Sequence, residues 1–194
     1  GIQELIALHH QTWHEQLTTL KLRLKLRRRE RLEYARPAAA SGARADWPSS
    51  PTVNLPICTA ANVQSAPQIV TDMGGGALVF WQDLRSGVAD IYGQRVLASG
   101  AVDPTWPVNG LLVCGVAAAQ SNPRAVSDGS GGAIVMWQDS RAGTASDIYA
   151  HRVLANGSLD PGWPVDGRAV CTAANSQSGP VLDSDRASGL LEAR

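Results

Sequence analysis

The sequence predicts an all-β fold built from stacked copies of one four-stranded unit, and three observations carry that prediction. First, a set of motifs recurs. Cys58-Thr-Ala-Ala-Asn-Val-Gln64-Ser65 returns as Cys114-Gly-Val-Ala-Ala-Ala-Gln120-Ser121 and again as Cys171-Thr-Ala-Ala-Asn-Ser-Gln177-Ser178. Ala77-Leu-Val-Phe-Trp81-Gln-Asp83-Leu-Arg85 returns as Ala133-Ile-Val-Met-Trp137-Gln-Asp139-Ser-Arg141. Asp90-Ile-Tyr92 returns as Asp147-Ile-Tyr149, and Trp106-Pro-Val-Asn-Gly110 as Trp163-Pro-Val-Asp-Gly167. Second, the three cysteines are spaced by 56 and 57 residues, the period of the motifs themselves. Third, short runs rich in Val, Ile, Tyr and Trp alternate with Gly-rich turns, which is the signature of strands and hairpins. A fixed internal period marks one supersecondary unit packed against copies of itself.

Each unit reads the same way. Pro67–Asp72 is a strand, followed by the glycine turn that ends at Gly76. Ala77–Gln82 is mostly apolar and reads as a strand buried on both faces. A loop from Asp83 leads to a third strand, Asp90–Leu97, which alternates in polarity. A longer loop carrying Trp106-Pro107 then precedes a fourth strand, Leu111–Gly115. Four-stranded sheets repeated around an axis describe a β-propeller. The expected fold class is therefore an all-β, β-propeller-like array of four-stranded blades, with two full repeats and partial ones. The repeats run over about 58–113 and 114–170, with a partial copy over 171–194, inside a repeat region 47–194. Two units and a fraction fall short of the four to eight blades that close a ring, so further blades or other copies of the chain are expected as partners.

Residues 1–46 form a different segment. Residues 1–44 hold nine Lys or Arg against four Glu, and residues 45–194 hold eight Arg against thirteen Asp or Glu, so a net charge of zero hides +5 and −5. Ile2, Leu5, Ile6, Leu8, Trp13, Leu17 and Leu20 are loosely compatible with one helical face, and Pro37–Ala45 reads as a linker. From Leu20 an alternation of Leu with Lys or Arg has strand period instead. The expectation is a basic helical or disordered tail. The acidic body is unlike a nucleic-acid surface, which needs a basic stripe. No stretch approaches the ~20 apolar residues of a membrane span, and no signal peptide is recognisable.

The Trp-x-Asp-x-Arg-x-Gly element followed by Asp-Ile-Tyr resembles the repeats of bacterial extracellular propeller proteins. The resemblance extends from residue 47 to about 191. It implies a propeller in an extracellular or cell-surface setting. It leaves the activity open, because propellers host lectins, hydrolases and scaffolds alike.

Candidate chemistry sits where loops of successive units would share one rim. Gln64, Gln82 and Arg85 recur as Gln120, Gln138 and Arg141, and equivalent polar sets suit multivalent recognition of a repeating ligand such as a glycan. The same Asp–Arg spacing also suits an ion pair that holds the loop. Asp83 with Asp90, and Asp139 with Asp147, are candidate catalytic carboxylates for a glycoside hydrolase, which needs two carboxyls ~5–5.5 or ~6.5–9.5 Å apart. Their recurrence argues against a unique active site. Tyr92, Tyr149, Trp106 and Trp163 fit sugar stacking or core packing. The sialidase Asp-box, Ser-x-Asp-x-Gly-x-x-Trp, is only echoed by Ser127-Asp128-Gly129. No calcium loop, P-loop or dinucleotide fingerprint is present, so no cofactor is expected. His10 and His14 have metal-ligand spacing without the metalloprotease glutamate, and surface histidines are the expectation. The cysteines lack zinc spacing and are expected as three buried thiols.

Overall fold

The computed structural model describes residues 54–183 apart from Thr144. The expected helix and linker of the basic segment, the histidines within it and the end of the third unit lie outside the described residues. Among the described residues the chain is all-β, with two four-stranded antiparallel sheets and no helix. Sheet one contains β1 Gln64–Thr71, β2 Ala77–Asp83, β3 Asp90–Val96 and β4 Leu111–Cys114; sheet two contains β5 Gln120–Ser127, β6 Ala133–Asp139, β7 Asp147–Val153 and β8 Arg168–Cys171. Both sheets follow chain order.

The strands match the sequence expectation to within a residue, except at the first of each sheet. There β1 begins at Gln64, three residues before the expected Pro67. The reason is a bulge between Ser65 and Gln68, where Ala66 takes a left-handed φ of 51°. Proline cannot donate to a ladder, and a bulge removes the need for it to do so. Asn122 and Pro123 repeat the arrangement in β5, between Ser121 and Arg124.

Alternation along β2 divides its side chains between two apolar faces. Leu78 and Phe80 join Ile91, Trp106, Val113 and Cys114 in a core that continues into sheet two through Ala133, Val135, Trp137 and Val153. Val79, Trp81 and Val96 point the other way and pack under Leu55, Ile57 and Cys58. That short segment stands to sheet one as β4 stands to sheet two. The second sheet uses the same rule: Ala133, Val135 and Trp137 face sheet one, while Met136, Ile148 and Ala150 pack with Trp163, Cys171 and Leu182 on the far side. Each sheet therefore has two distinct faces, and opposite faces meet at the seam. Leu78, Phe80, Ile91, Val135 and Trp137 are fully buried. Burial of one such side chain is worth roughly 1.5–3 kcal/mol, so apolar contact dominates the seam.

Volumes across the ladder are matched pairwise. Phe80 lies opposite Gly93 in β3, and a Cβ added to Gly93 would come within 2.4 Å of the Phe80 ring. The equivalent pair in sheet two is Met136 opposite Ala150. A ring with no Cβ beneath it is exchanged for a flexible chain over a methyl group. The Trp-Pro-Val-x-Gly motif has a comparable explanation. Gly110 has φ of 104°, and a Cβ there would reach 2.8 Å from the Trp81 ring; Gly167, at 96°, stands 2.7 Å from Trp137 in the same sense.

Gly93→Ala is expected to lower stability by about 1–3 kcal/mol through overpacking against Phe80. Phe80→Met in the same chain should recover most of that loss, because it reproduces the second sheet's pair. Denaturant melts of both single variants and the double variant test this; additive losses would show that the pair is not coupled.

Candidate functional site

The Trp-x-Asp-x-Arg element closes on its own carboxylate. The Trp81 indole N–H donates to Asp83 Oδ2 at 2.8 Å, Arg85 Nη2 donates to the same oxygen at 2.6 Å, and the Arg85 backbone N–H reaches Oδ1 at 2.8 Å. In sheet two, Trp137 donates to Asp139 Oδ2 at 2.8 Å and Arg141 Nη2 at 2.7 Å. Arg141 Nε and its backbone N–H each reach Oδ1 at 2.9 Å. Residues two apart on a strand share a face, so the indole and the carboxylate lie on the same side of β2. The chain then turns and brings the arginine back over both. The guanidinium also lies over a tyrosine ring, 3.8 Å from the Tyr92 centroid for Arg85 and 3.9 Å from that of Tyr149 for Arg141. This cation–π contact accounts for the tyrosine of Asp-Ile-Tyr.

Each arginine reaches beyond its own loop. Arg85 Nη2 donates to Asn109 O at 2.8 Å and lies 3.3 Å from Cys58 Sγ. Arg141 Nη2 donates to Asp166 O at 2.7 Å and lies 3.4 Å from Cys114 Sγ. Cys114 belongs to sheet one and Arg141 to sheet two, so this contact crosses the seam. All three cysteines are free thiols. Only Cys114 is fully buried, whereas Cys58 and Cys171 are half-buried, which corrects the expectation of three buried thiols. Burial pushes the Cys114 thiol up to about 12, so it stays protonated and acts as packing.

The remaining candidates lie beside these ties. Gln64, Asp83 and Asp90 are cross-strand partners in one row, as are Gln120, Asp139 and Asp147. Gln82 and Gln138, one residue before the aspartates, point to the opposite face. Gln64 Nε2 donates to Ala61 O at 3.2 Å, and the fully buried Gln120 donates to Ala118 O, so each closes the loop before its strand. Gln138 bonds Asn122 and Gln177 O. Asp90 accepts from Ser86 Oγ at 2.8 Å. Ala142 stands in the place of Ser86 in the second unit, and Asp147 lacks that hydroxyl. The β2–β3 and β6–β7 loops each meet the segment between β4 and β5 at one end of the strands: Gln120 N donates to Ala89 O at 2.7 Å, and Ser140 N to Ala119 O at 3.0 Å. A cavity of about 310 Å³ opens on sheet one between Leu55, Ile57, Val79 and Trp81, with Gln64 among its few polar groups.

A second recurring cluster occupies the other end of the strands. Asp72 Oδ1 caps the N–H groups of Gly74 and Gly76, and its Oδ2 receives Arg95 at 2.8 Å. Arg95 also reaches Asp103 at 3.5 Å. Asp128, Arg152 and Asp160 repeat the set at 2.7 and 3.4 Å. These ion pairs were not identified from the sequence. The available signal was the recurrence of Asp72 and Asp103 in step with Arg95.

Burial alone would push the Asp83 and Asp139 carboxyls up. The hydrogen bonds from arginine, indole and backbone, with the arginine charge, outweigh it and hold both below the usual carboxylate range. Asp90 is shifted the other way, by burial first and then by the charge of Asp83. Among the described residues, no group of three or more His, Cys, Asp or Glu could hold a metal. Nor is any helix long and apolar enough to cross a membrane. Compared with known proteins, the chain matches no family model, no curated protein and no solved structure.

Asp139→Asn should destabilise the fold by about 2 kcal/mol, less than a fully buried pair because water screens part of Arg141. Lowered carboxylates stabilise the fold above their unfolded pKa and lose that contribution as pH falls through the folded value. The acid limb of the stability profile should therefore flatten in this variant, and an unchanged limb would show that Asp139 does not drive acid unfolding.

Asp90→Asn is expected to act oppositely. It removes a charge that burial disfavours, so the melting temperature should rise near neutral pH. The gain should vanish below about pH 4, where the wild-type carboxyl is itself protonated. A gain that persists in acid would contradict this cause.

Proposed function

We propose that this chain is a segment of an extracellular or cell-surface β-propeller that acts by binding, with carbohydrate as the ligand class. The single observation that carries the non-catalytic reading is the saturation of Asp83 and Asp139. Each is fully buried, and each receives an indole, a guanidinium and a backbone N–H. A general acid needs a raised pKa, and a nucleophile needs free lone pairs facing substrate. Neither aspartate has these properties. The same saturation supports a loop-holding role for Arg85 and Arg141, with recognition proposed at the rim that those loops form. The propeller arrangement is supported by the two faces of each sheet, which stack head to tail, and by the gathering of the β2–β3 and β4–β5 loops at one end. Its partners are a glycan and further blades or other copies.

A second reading, a glycoside hydrolase of propeller type, keeps one observation in its favour. Asp90 stands opposite Asp83 with its carboxyl raised, which is the pairing of unlike carboxylates that acid chemistry uses. Retention of the chain on a glycan array, with no turnover of nitrophenyl glycosides, is the outcome expected for binding. Turnover that disappears in Asp90→Asn would establish the hydrolase instead. Absence of both retention and turnover would leave a structural repeat that spaces other elements.

A further inference from the structure

We infer that Asn156 is a self-modifying site, where the chain converts its own asparagine to aspartate and isoaspartate at the seam between the sheets. Among the described residues the chain has two Asn-Gly pairs, Asn109-Gly110 and Asn156-Gly157, in different loops. In such a pair the glycine amide nitrogen loses its proton to hydroxide and attacks the asparagine Cγ. An N–Cγ bond forms, the Cγ–Nδ2 bond breaks and ammonia leaves. Water then opens the succinimide at either carbonyl, giving aspartate or isoaspartate.

The structure separates the two pairs. Asn156 is exposed at the tip of the hairpin that joins Val153 to Leu159, and all its partners are local. Ser158 donates to its Oδ1 from both N, at 3.1 Å, and Oγ, at 2.7 Å. Two donors on the amide oxygen polarise Cγ and stabilise the oxyanion that attack creates. Asn109 also carries two donors on Oδ1, but they come from Thr59, fifty residues away. Its carbonyl is held by Arg85 at 2.8 Å, and Gly110 is buried against the Trp81 ring. In both turns the attacking glycine N–H must first leave a carbonyl, Pro107 O at 2.9 Å for Gly110 and Leu154 O at 3.0 Å for Gly157. Attack at Asn109 must also free an asparagine tied to Thr59 and Arg85 beside a buried glycine, while Asn156 is exposed, its side-chain ties are to Ser158 alone and its glycine is half-buried.

The position of Asn156 gives the reaction a structural consequence. Ala155 O accepts from Arg95 of sheet one at 3.3 Å. Gly157 lies so close to Trp106 of sheet one that a Cβ there would come within 2.8 Å of the ring. The residue between these two contacts is the one that isoaspartate would lengthen by a backbone carbon. In the first unit the equivalent pair is Ser99-Gly100, which cannot react in this way.

The test is to age the full chain at mildly alkaline pH and follow both peptides by mass spectrometry, in native buffer and in urea. The Asn156 peptide should gain one dalton as an aspartate–isoaspartate pair, about tenfold or more faster than the Asn109 peptide in native buffer, because the buried turn must open first. The two rates should converge in urea, and Asn156→Ser should abolish the gain in its peptide. Equal rates in native buffer, or a gain at Asn109 first, would overturn the assignment. The isoaspartate fraction should also melt at a lower temperature than fresh protein; an unchanged melt would overturn the coupling to the seam.

Discussion

A buried carboxylate that must be neutralised organises each half of this molecule. Asp139 has no exposure to water, and an isolated charge in that position would cost several kcal/mol. Four of its donor contacts come from two residues close in sequence, Trp137 and Arg141, so most of the requirement is met within one strand and its loop; a fifth, from Cys114 Sγ at 3.9 Å, arrives from the neighbouring sheet. The consequence is long-range all the same. An arginine drawn back over its own strand has Nη2 left to reach Asp166 O and the thiol of Cys114. One local charge problem thus fixes the indole, the β6–β7 loop, the tyrosine of β7, the turn before β8 and the edge strand of the neighbouring sheet. Apolar burial supplies most of the seam's energy, but it is non-directional. The carboxylate supplies the register.

Differences between the two units show where that plan tolerates change. Phe80 over Gly93 becomes Met136 over Ala150, so side-chain volume can move across the ladder when both partners move. Gln94 becomes His151 at an equally buried position, with Gln94 bonding Pro107 O and His151 stacking on Trp163. The arginine geometry varies less. Arg141 uses Nε as well as Nη2 on its carboxylate, whereas Arg85 leaves Nε without a partner. Even so, both arginines keep the same four kinds of neighbour: aspartate, tyrosine, loop carbonyl and thiol.

Strand positions were legible in the sequence because alternation and Gly-rich turns are local signals. The start of β1 was not, because Pro67 looks like a boundary until the bulge at Ser65 shows how a strand passes through it. The Asp83–Arg85 pair was legible from its spacing. Its reach to Cys58 was not, since no pattern relates residues 27 apart across a loop and a strand. The recurrence of Cys in step with Arg was visible, but only the folded chain places the thiol of Cys114, at the edge of sheet one, beside the Arg141 guanidinium of sheet two. For the same reason, recurrence alone could not separate struts from ligand-binding residues. Both would recur, and what the folded chain adds is that Asp83 and Asp139 are buried and each held by an indole, a guanidinium and a backbone N–H.

The two faces of each sheet constrain any larger assembly. Leu78 and Phe80 of sheet one meet Val135 and Trp137 of sheet two, and these residues are not equivalent positions. A contact between unlike faces is heterologous, and repeating it propagates in one direction. It cannot be satisfied by a two-fold pair. Further units added by the same contact would either return to the first and close a ring or continue as an open stack. The wedge between successive sheets decides which, and the residues that set it are those at the two ends of the seam. Trp106 against Gly157 stands at one end, and Arg141 on Cys114 at the other. A change of side-chain bulk at either end would be expected to alter the angle between these two sheets without touching the strands.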